Sequence, residues 1–252
     1  MTKLFHQYYD QLFASKDYAK EIDCIFSQYH TFYKSKFSRI LEIGCGTGNH
    51  TLWLAKKKAD VVAIDIDPCM IEIALPKINK SGFKNVKLIC KPLEEIKETG
   101  FDIALAMFNV ISYIDNTDSL MSFLKEVYKR LHLGGLFVFD CWNGIAAIKD
   151  PPQSKTFEKK TGSILLKCHL TCSTDFFKQK ALLRYNLKIK DTVKNVTSQE
   201  NFSFSQTLWT PVQIRYCLHK QGFIVKDCCK LLQPFTAADE KDWKIMFACK
   251  KL

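Results

Sequence analysis

Three glycines and two acids carry the most local chemistry in this sequence. Glu42-Ile43-Gly44-Cys45-Gly46-Thr47-Gly48 sets three residues without a Cβ at alternate positions, and Asp65 closes the next apolar run. A glycine backbone can take positive φ, press against a ligand and aim its amide N–H groups at it. A carboxylate at the place of Asp65 can accept both hydroxyls of a ribose. The other candidates are scattered. Tyr8-Tyr9-Asp10 and Lys16-Asp17-Tyr18 precede the turn, Met107-Phe108-Asn109 and Tyr113 follow it, and Trp142, His169 and Arg184 lie further on. Tyr9, Tyr113 and His169 are of types that can move a proton from an incoming nucleophile. Asn109, Trp142 and Arg184 are of types that orient a bound molecule through amide, ring and guanidinium groups.

The elements that must position these residues can be read from apolar spacing. Ile40, Leu41 and Ile43 suit a buried parallel strand leading into the turn, and Leu52 to Ala55 continue as a helix. Val61 to Ile64 read as the next strand, with Asp65 at its tip. Dinucleotide folds space their glycines G-x-G-x-x-G to admit a pyrophosphate. Here the text is E-x-G-x-G-x-G, which resembles motif I of the class I S-adenosylmethionine (SAM) dependent methyltransferases. Tyr8-Tyr9-Asp10, Lys16-Asp17-Tyr18 and Glu21 look like the N-terminal segment of the small-molecule N-methyltransferase branch, which includes enzymes acting on nucleotide-linked amino sugars.

The resemblance implies an α/β fold, a Rossmann-like, seven-stranded, mostly parallel sheet whose last strand is antiparallel. It implies SAM as cofactor, held by Tyr18, Glu42, Gly44, Cys45, Gly46, Gly48, Asp65, Ile66, Met70, Pro92, Leu93, Met107 and Phe108. It places the N-terminal helices as a lid. The family commonly has an Asp for the adenine amino group at the tip of the third strand, where this chain has Lys91-Pro92 and then Glu94; a backbone carbonyl or Glu94 takes that place. Asn109, Trp142 and Arg184 are the expected substrate contacts, with Tyr9, Tyr113 and His169 the candidate catalytic residues.

Along the rest of the chain, Tyr18, Ile22, Ile25, Phe26, Tyr29 and Phe32 recur at helical spacing, and Asp67-Pro68 and Thr210-Pro211 read as N-cap and first-turn proline. Leu120, Leu124, Val127 and Leu131 form a helical stripe expected to stop at Leu133-Gly134-Gly135. From 151 the period changes to two. Leu183, Tyr185, Leu187 and Ile189 alternate with Leu182, Arg184, Asn186 and Lys188, and 164–172 and 202–208 are further strand candidates. The expected organisation is a core with its lid over 1–150, an antiparallel β insert on the substrate side over 151–209, and a helix with a strand pair (223–232 and 244–250) over 210–252 that completes the core.

Formal net charge is +11, and 151–210 holds ten Lys or Arg against four acids, a net +6. Such charge is either a solvated surface or an attraction to phosphate, on a small molecule or on RNA. No run of eighteen apolar residues is present, so no membrane span is expected. Residues 1–7 lack a signal-peptide apolar core and the eleven cysteines are scattered, which points to a cytoplasmic protein with reduced thiols. Cys168-His169 with Cys172, and Cys228-Cys229, lack a second pair at zinc spacing, so no metal is expected there.

The function expected from these readings is methyl transfer from SAM to a small molecule, an amine such as that of a nucleotide-linked sugar, with Arg184 meeting the phosphates. RNA is the alternative acceptor. It is disfavoured because the fourth-strand tip lacks both the N-P-P-Y-like and the Pro-Cys texts of RNA-modifying enzymes, and no appended RNA-binding module is visible. A SAM-binding protein without turnover is a further alternative. Oligomeric state is not legible.

Overall fold

The computed structural model describes residues 3–33 and 36–252. Helices α1 (Lys3–Gln7), α2 (Tyr9–Leu12) and α3 (Tyr18–Phe32) lead into β1 (Arg39–Ile43), α4 (Asn49–Ala55), β2 (Asp60–Asp65), α5 (Pro68–Ser81) and β3 (Val86–Cys90). Then follow β4 (Phe101–Ala106), α6 (Thr117–Arg130), β5 (Leu131–Trp142) and α7 (Gly144–Lys149). Four long strands come next: β6 (Lys155–Thr161), β7 (Ile164–Asp175), β8 (Lys180–Asp191) and β9 (Val196–Thr207). The chain closes with α8 (Pro211–Lys220), β10 (Phe223–Lys230), β11 (Gln233–Ala237) and β12 (Lys244–Lys251). No helix among the described residues is long and apolar enough to cross a membrane.

The larger sheet has the order β3-β2-β1-β4-β5-β12-β10-β11. β1 pairs in parallel with β2 and β4, β2 with β3, and β4 with β5, so the carboxyl ends of β1 to β5 lie along one edge. β12 is antiparallel to both β5 and β10. Both faces of this sheet are covered, which is why its central strands carry apolar residues on both faces. Leu41, Ile43, Val62, Ile64 and Ala104 join one core cluster, while Ile40, Val61, Ala63, Ile103 and Leu105 join the other.

The expected mostly parallel sheet is present, with one strand more than the seven anticipated. The apolar run 223–232 ends as a strand at Lys230, turns at Leu232 (φ +64°) and returns as β11. Pro234 sits in that added strand, where an edge position tolerates a residue without an N–H. The stripe from Leu120 also stops earlier than its spacing suggested. α6 ends at Arg130, and Leu131 already belongs to β5, which runs through Gly134 and Gly135. The second sheet is wholly antiparallel, β6-β7-β8-β9, and stands in the chain between α7 and α8. Thr210 caps α8 through a reciprocal pair with Gln213.

Candidate active site

The glycine turn sits at the carboxyl end of β1. Gly44, Gly46 and Gly48 have φ of +71°, +54° and +78°, a region costly for any residue with a Cβ. A Cβ on Gly44 would lie 2.7 Å from Val110 Cγ2, whereas one on Gly46 would meet no heavy atom within 4 Å. Gly46 thus lines an open cradle. Beside it, Asp65 Oδ2 accepts from the Gly46 amide at 2.7 Å and Oδ1 from the Asp67 amide at 2.9 Å. Each oxygen retains a lone pair for a hydroxyl donor. Burial raises the Asp65 carboxyl, opposed by the Asp67 and Gly46 amides. Glu42, on β1 beneath the turn, is buried and accepts from the Thr51 hydroxyl at 2.6 Å. Burial pushes it up to about 8, so it holds its proton near neutrality.

The N-terminal segment lies across this turn. Asp10 accepts from Thr47 Oγ1 at 2.6 Å, Asn49 Nδ2 at 2.9 Å and Lys77 Nζ at 2.8 Å. Burial works against the Asp10 carboxylate, yet the Lys77, Thr47 and Asn49 contacts hold it below its ordinary range. Glu21 on α3 faces His50 Nε2 at 2.6 Å and pairs with Lys16. The Lys16 ammonium stands 4.5 Å from the Phe108 ring centre and 5.5 Å from that of Tyr18. Tyr18 meets His50 edge-on at 4.8 Å. Its hydroxyl is buried beside Asn49 without a partner in hydrogen-bond geometry.

At the tip of β4, Phe108 and Asn109 take φ of +65° and +68°. Two successive non-glycine residues in this region store strain that their surroundings must hold. Asn109 supplies the hold. Its amide donates to Asp140 Oδ1 at 3.2 Å and its Nδ2 to Gln206 Oε1 at 2.7 Å. Its Oδ1 accepts from Ser112 Oγ at 2.9 Å and the Trp142 amide at 2.8 Å.

The reversal brings Phe108 against Phe13, ring centres 5.0 Å apart. From there the rings form a circuit through Tyr9, Phe5, Phe202, Tyr185 and Phe204 to Tyr113, at steps of 4.8 to 5.7 Å. The N-terminal segment is bonded to the second sheet as well: the Leu4 amide donates to Glu200 and Lys159 to the Leu12 carbonyl. Burial pushes the Tyr9 phenol well up, with Tyr18, Tyr113, Asp65 and Asp10 adding to it, and burial also raises Tyr113 and Tyr185. Phenols so raised stay protonated near neutrality; they can orient a ligand by hydrogen bonds but do not serve there as resting bases.

The structure brings together Tyr9, Tyr18, Glu42, Gly44, Cys45, Gly46, Gly48, Asp65, Phe108 and Tyr113 around this crevice. Ile66, 74% exposed, and Pro92 lie at the carboxyl ends of β2 and β3. Met70, Leu93 and Met107 are buried in core clusters, and so back the walls.

Four expectations change. His169 and Arg184 share the face of the second sheet opposite to the crevice, exposed, bonded to Thr156 (2.7 Å) and Ser173 (3.2 Å). The other face of the same strands, with Leu166, Cys168, Leu187 and Ile189, packs on Phe5, Leu12 and Met70. Strand alternation therefore sets His169 and Arg184 on the face turned away from Phe5 and the glycine turn. Asn109 has its side chain committed to the fold. Trp142 packs edge-on against Trp243 at 5.6 Å, in a cluster with Ala147, Ala181 and Leu208.

The structure adds Asn49, Lys77, Gln206 and the rings of Phe5, Tyr185, Phe202 and Phe204, which the sequence reading does not mark as site residues, and gives Asp10 and Lys16 partners that it does not show. The alternation of Phe202 and Phe204 was a usable signal for one wall. Nothing local distinguishes Lys77 from the other lysines.

The sheet order with a glycine turn at the carboxyl edge defines a Rossmann-like methyltransferase fold. Residues 40–135 match a family described as "Methyltransferase domain" (Methyltransf_25). A SAM-dependent methyltransferase from Clostridium acetobutylicum superposes with a TM-score of 0.82 at 20% identity, over 98% of this chain and 96% of that one. The sugar N-methyltransferase KedS8 from Streptoalloteichus superposes at 0.80 and 16% identity, over 96% and 92%. At these identities the likeness is one of fold. Among curated proteins, the malonyl-[acyl-carrier protein] O-methyltransferase of Priestia megaterium is 34% identical over 118 residues, 46% of this chain and 40% of the relative. The chain spans about two fifths of the length of such relatives.

Proposed function

We propose that the protein transfers a methyl group from SAM to a small molecule, an amine such as that of a nucleotide-linked sugar. The observation that carries this reading is the crevice itself: a positive-φ glycine cradle and a ribose-competent carboxylate on one side, a circuit of aromatic rings on the other. The fit of the cofactor rests on the open side of Gly46, the paired amides behind Asp65 and the buried, unpartnered Tyr18 hydroxyl. Asp65 would hold the ribose, Gly44 to Gly48 the methionine end, and Ile66 with Pro92 the adenine. The bound cofactor supplies an electrophilic methyl on a sulfonium.

The chain's own part is alignment and exclusion of water, which can account for most of the acceleration of an in-line displacement. Phe108 and its neighbouring rings offer negative π faces toward positive charge. Tyr9 and Tyr113, protonated, orient the acceptor through hydrogen bonds, and the acceptor enters as the neutral amine. The sugar N-methyltransferase named above lends this choice of acceptor its support. Apart from Asp191 at the strand end, the inner positions of β7 and β8 are Leu, Cys, Ala, Tyr, Ile and Thr, which suits a ring-shaped acceptor better than a phosphate contact from those strands.

Incubation with methyl-labelled SAM, a metabolite extract and purified RNA in parallel tests the proposal. Label is expected in the small-molecule fraction. Label confined to RNA, or SAM binding with no transfer to either fraction, contradicts it.

A further inference from the structure

His6, Asp67 and Cys69 gather three different donor atoms at the seam between α1 and the start of α5, all within 4.8 Å of one another. His6 is buried, with Nε2 2.8 Å from Asp67 Oδ2. Asp67 Oδ1 is engaged as the helix cap, accepting from the Cys69 amide at 3.0 Å, so Oδ2 is the oxygen turned toward the imidazole. Cys69 is exposed in the first turn of α5 and forms no disulfide. The Asp67 amide is the one that donates to Asp65 Oδ1, so the cluster adjoins the carboxylate of the crevice.

We propose that these three side chains form a zinc site that clamps the N-terminal lid to the loop carrying Asp65. An imidazole nitrogen, a carboxylate oxygen and a thiolate suit Zn2+, whereas Mg2+ and Ca2+ favour all-oxygen sets. Zinc–ligand bonds of about 2.0–2.3 Å in a tetrahedron place the donors roughly 3.3–3.7 Å apart. The His6–Asp67 pair then opens by about half an ångström and the exposed Cys69 side chain, within 4.8 Å of both, closes by at most about one. The fourth position falls to water.

On binding, the Cys69 thiol gives its proton to solvent. His6 ligates through the Nε2 lone pair with its hydrogen on Nδ1, and no electron transfer is involved. Phe5, next to His6, is packed against Phe202, so a metal here fixes the lid between the crevice and the second sheet. The site stands independently of the cofactor reading; only the expected effect on cofactor exchange rests on it.

The test is titration of the reduced full-length chain with Co2+, followed by Zn2+. One equivalent of Co2+ should raise a thiolate charge-transfer band that Zn2+ removes. Cys69→Ser should lose the band, and Asp67→Ala should weaken binding about tenfold or more. No band in the wild type, or a band unchanged in Cys69→Ser because another of the free thiols carries it, overturns the site. As a second reading, Zn2+ should slow SAM dissociation about tenfold in the wild type and leave Cys69→Ser unaffected. Equal dissociation with and without Zn2+, once the Co2+ band has been seen, overturns the clamp. Cys69 is exposed and outside the core clusters, so its serine variant folds and keeps both measurements readable.

Discussion

The crevice wall and the outer face of the second sheet are made by the same strands and differ in kind. Inward, Tyr185 stacks on Phe202 with planes 6° apart and continues to Phe204. Outward, Arg184, Asn186, Lys188 and Lys190 follow one another on β8, opposite Thr171, His169, Lys167 and Leu165 of β7. Because successive side chains alternate sides, one segment can hold a large net charge and still present mostly aliphatic and aromatic side chains on its inner face. The charge of a segment is therefore not the charge of the site beside it. Charge on the outer face acts at long range, on encounter and solubility, whereas the rings act by contact.

The largest effect expected from breaking this division is at the cradle. Gly46→Val strains the +54° backbone and fills the approach, and should weaken SAM binding by on the order of 100-fold or more in calorimetry. The outer face should be indifferent to the change.

Next comes Glu42→Gln, which separates buried from solvated charge. The ordinary carboxyl value is 4.5 and the folded value about 8. The folded state thus favours the protonated form, and the stability linked to it is full below about 4.5 and lost as pH rises to about 8. In denaturant titrations the wild type should lose about 4–5 kcal/mol over that interval relative to Glu42→Gln, with the two alike at the acid end.

Phe202→Ala removes the ring joining Phe5 to Tyr185. It should lower methyl transfer to small-molecule extract by about 10–30-fold, with SAM affinity within about twofold of wild type. The smallest effect belongs to the outer face. Arg184→Glu and His169→Asn should change neither SAM affinity nor transfer by more than about twofold, at low or high salt. A salt-dependent loss of transfer in Arg184→Glu would collapse the distinction between the two faces and favour a phosphate-rich acceptor.

The cofactor half of the site was largely legible because it is local. Gly44, Gly46, Gly48 and Asp65 belong to one strand–turn–helix–strand unit, and the backbone geometry that glycine permits is written in the residue type. The acceptor half joins Tyr9, Tyr113, Tyr185 and Phe202, which meet only after register and lid packing are set. The alternation already put Arg184 and Tyr185 on opposite faces. Which face met the crevice was decided by Phe5 packing on Phe202, a contact between distant segments that spacing does not reveal. Asp10 stood in the noticed Tyr8-Tyr9-Asp10, but its partners Thr47, Asn49 and Lys77 come from three other places in the chain. β11 was missed because Pro234 argues against a strand except at an edge, and edge position is a property of the assembled sheet.

Calorimetric titration of SAM into wild type and Asp65→Ala tests the central claim most directly, with circular dichroism confirming that both are folded. Loss of charge-assisted hydrogen bonds to the ribose should weaken binding by on the order of 2–4 kcal/mol, leaving Arg184→Glu, measured alongside, at wild-type affinity. Equal SAM affinity in wild type and folded Asp65→Ala would contradict the assignment of the crevice.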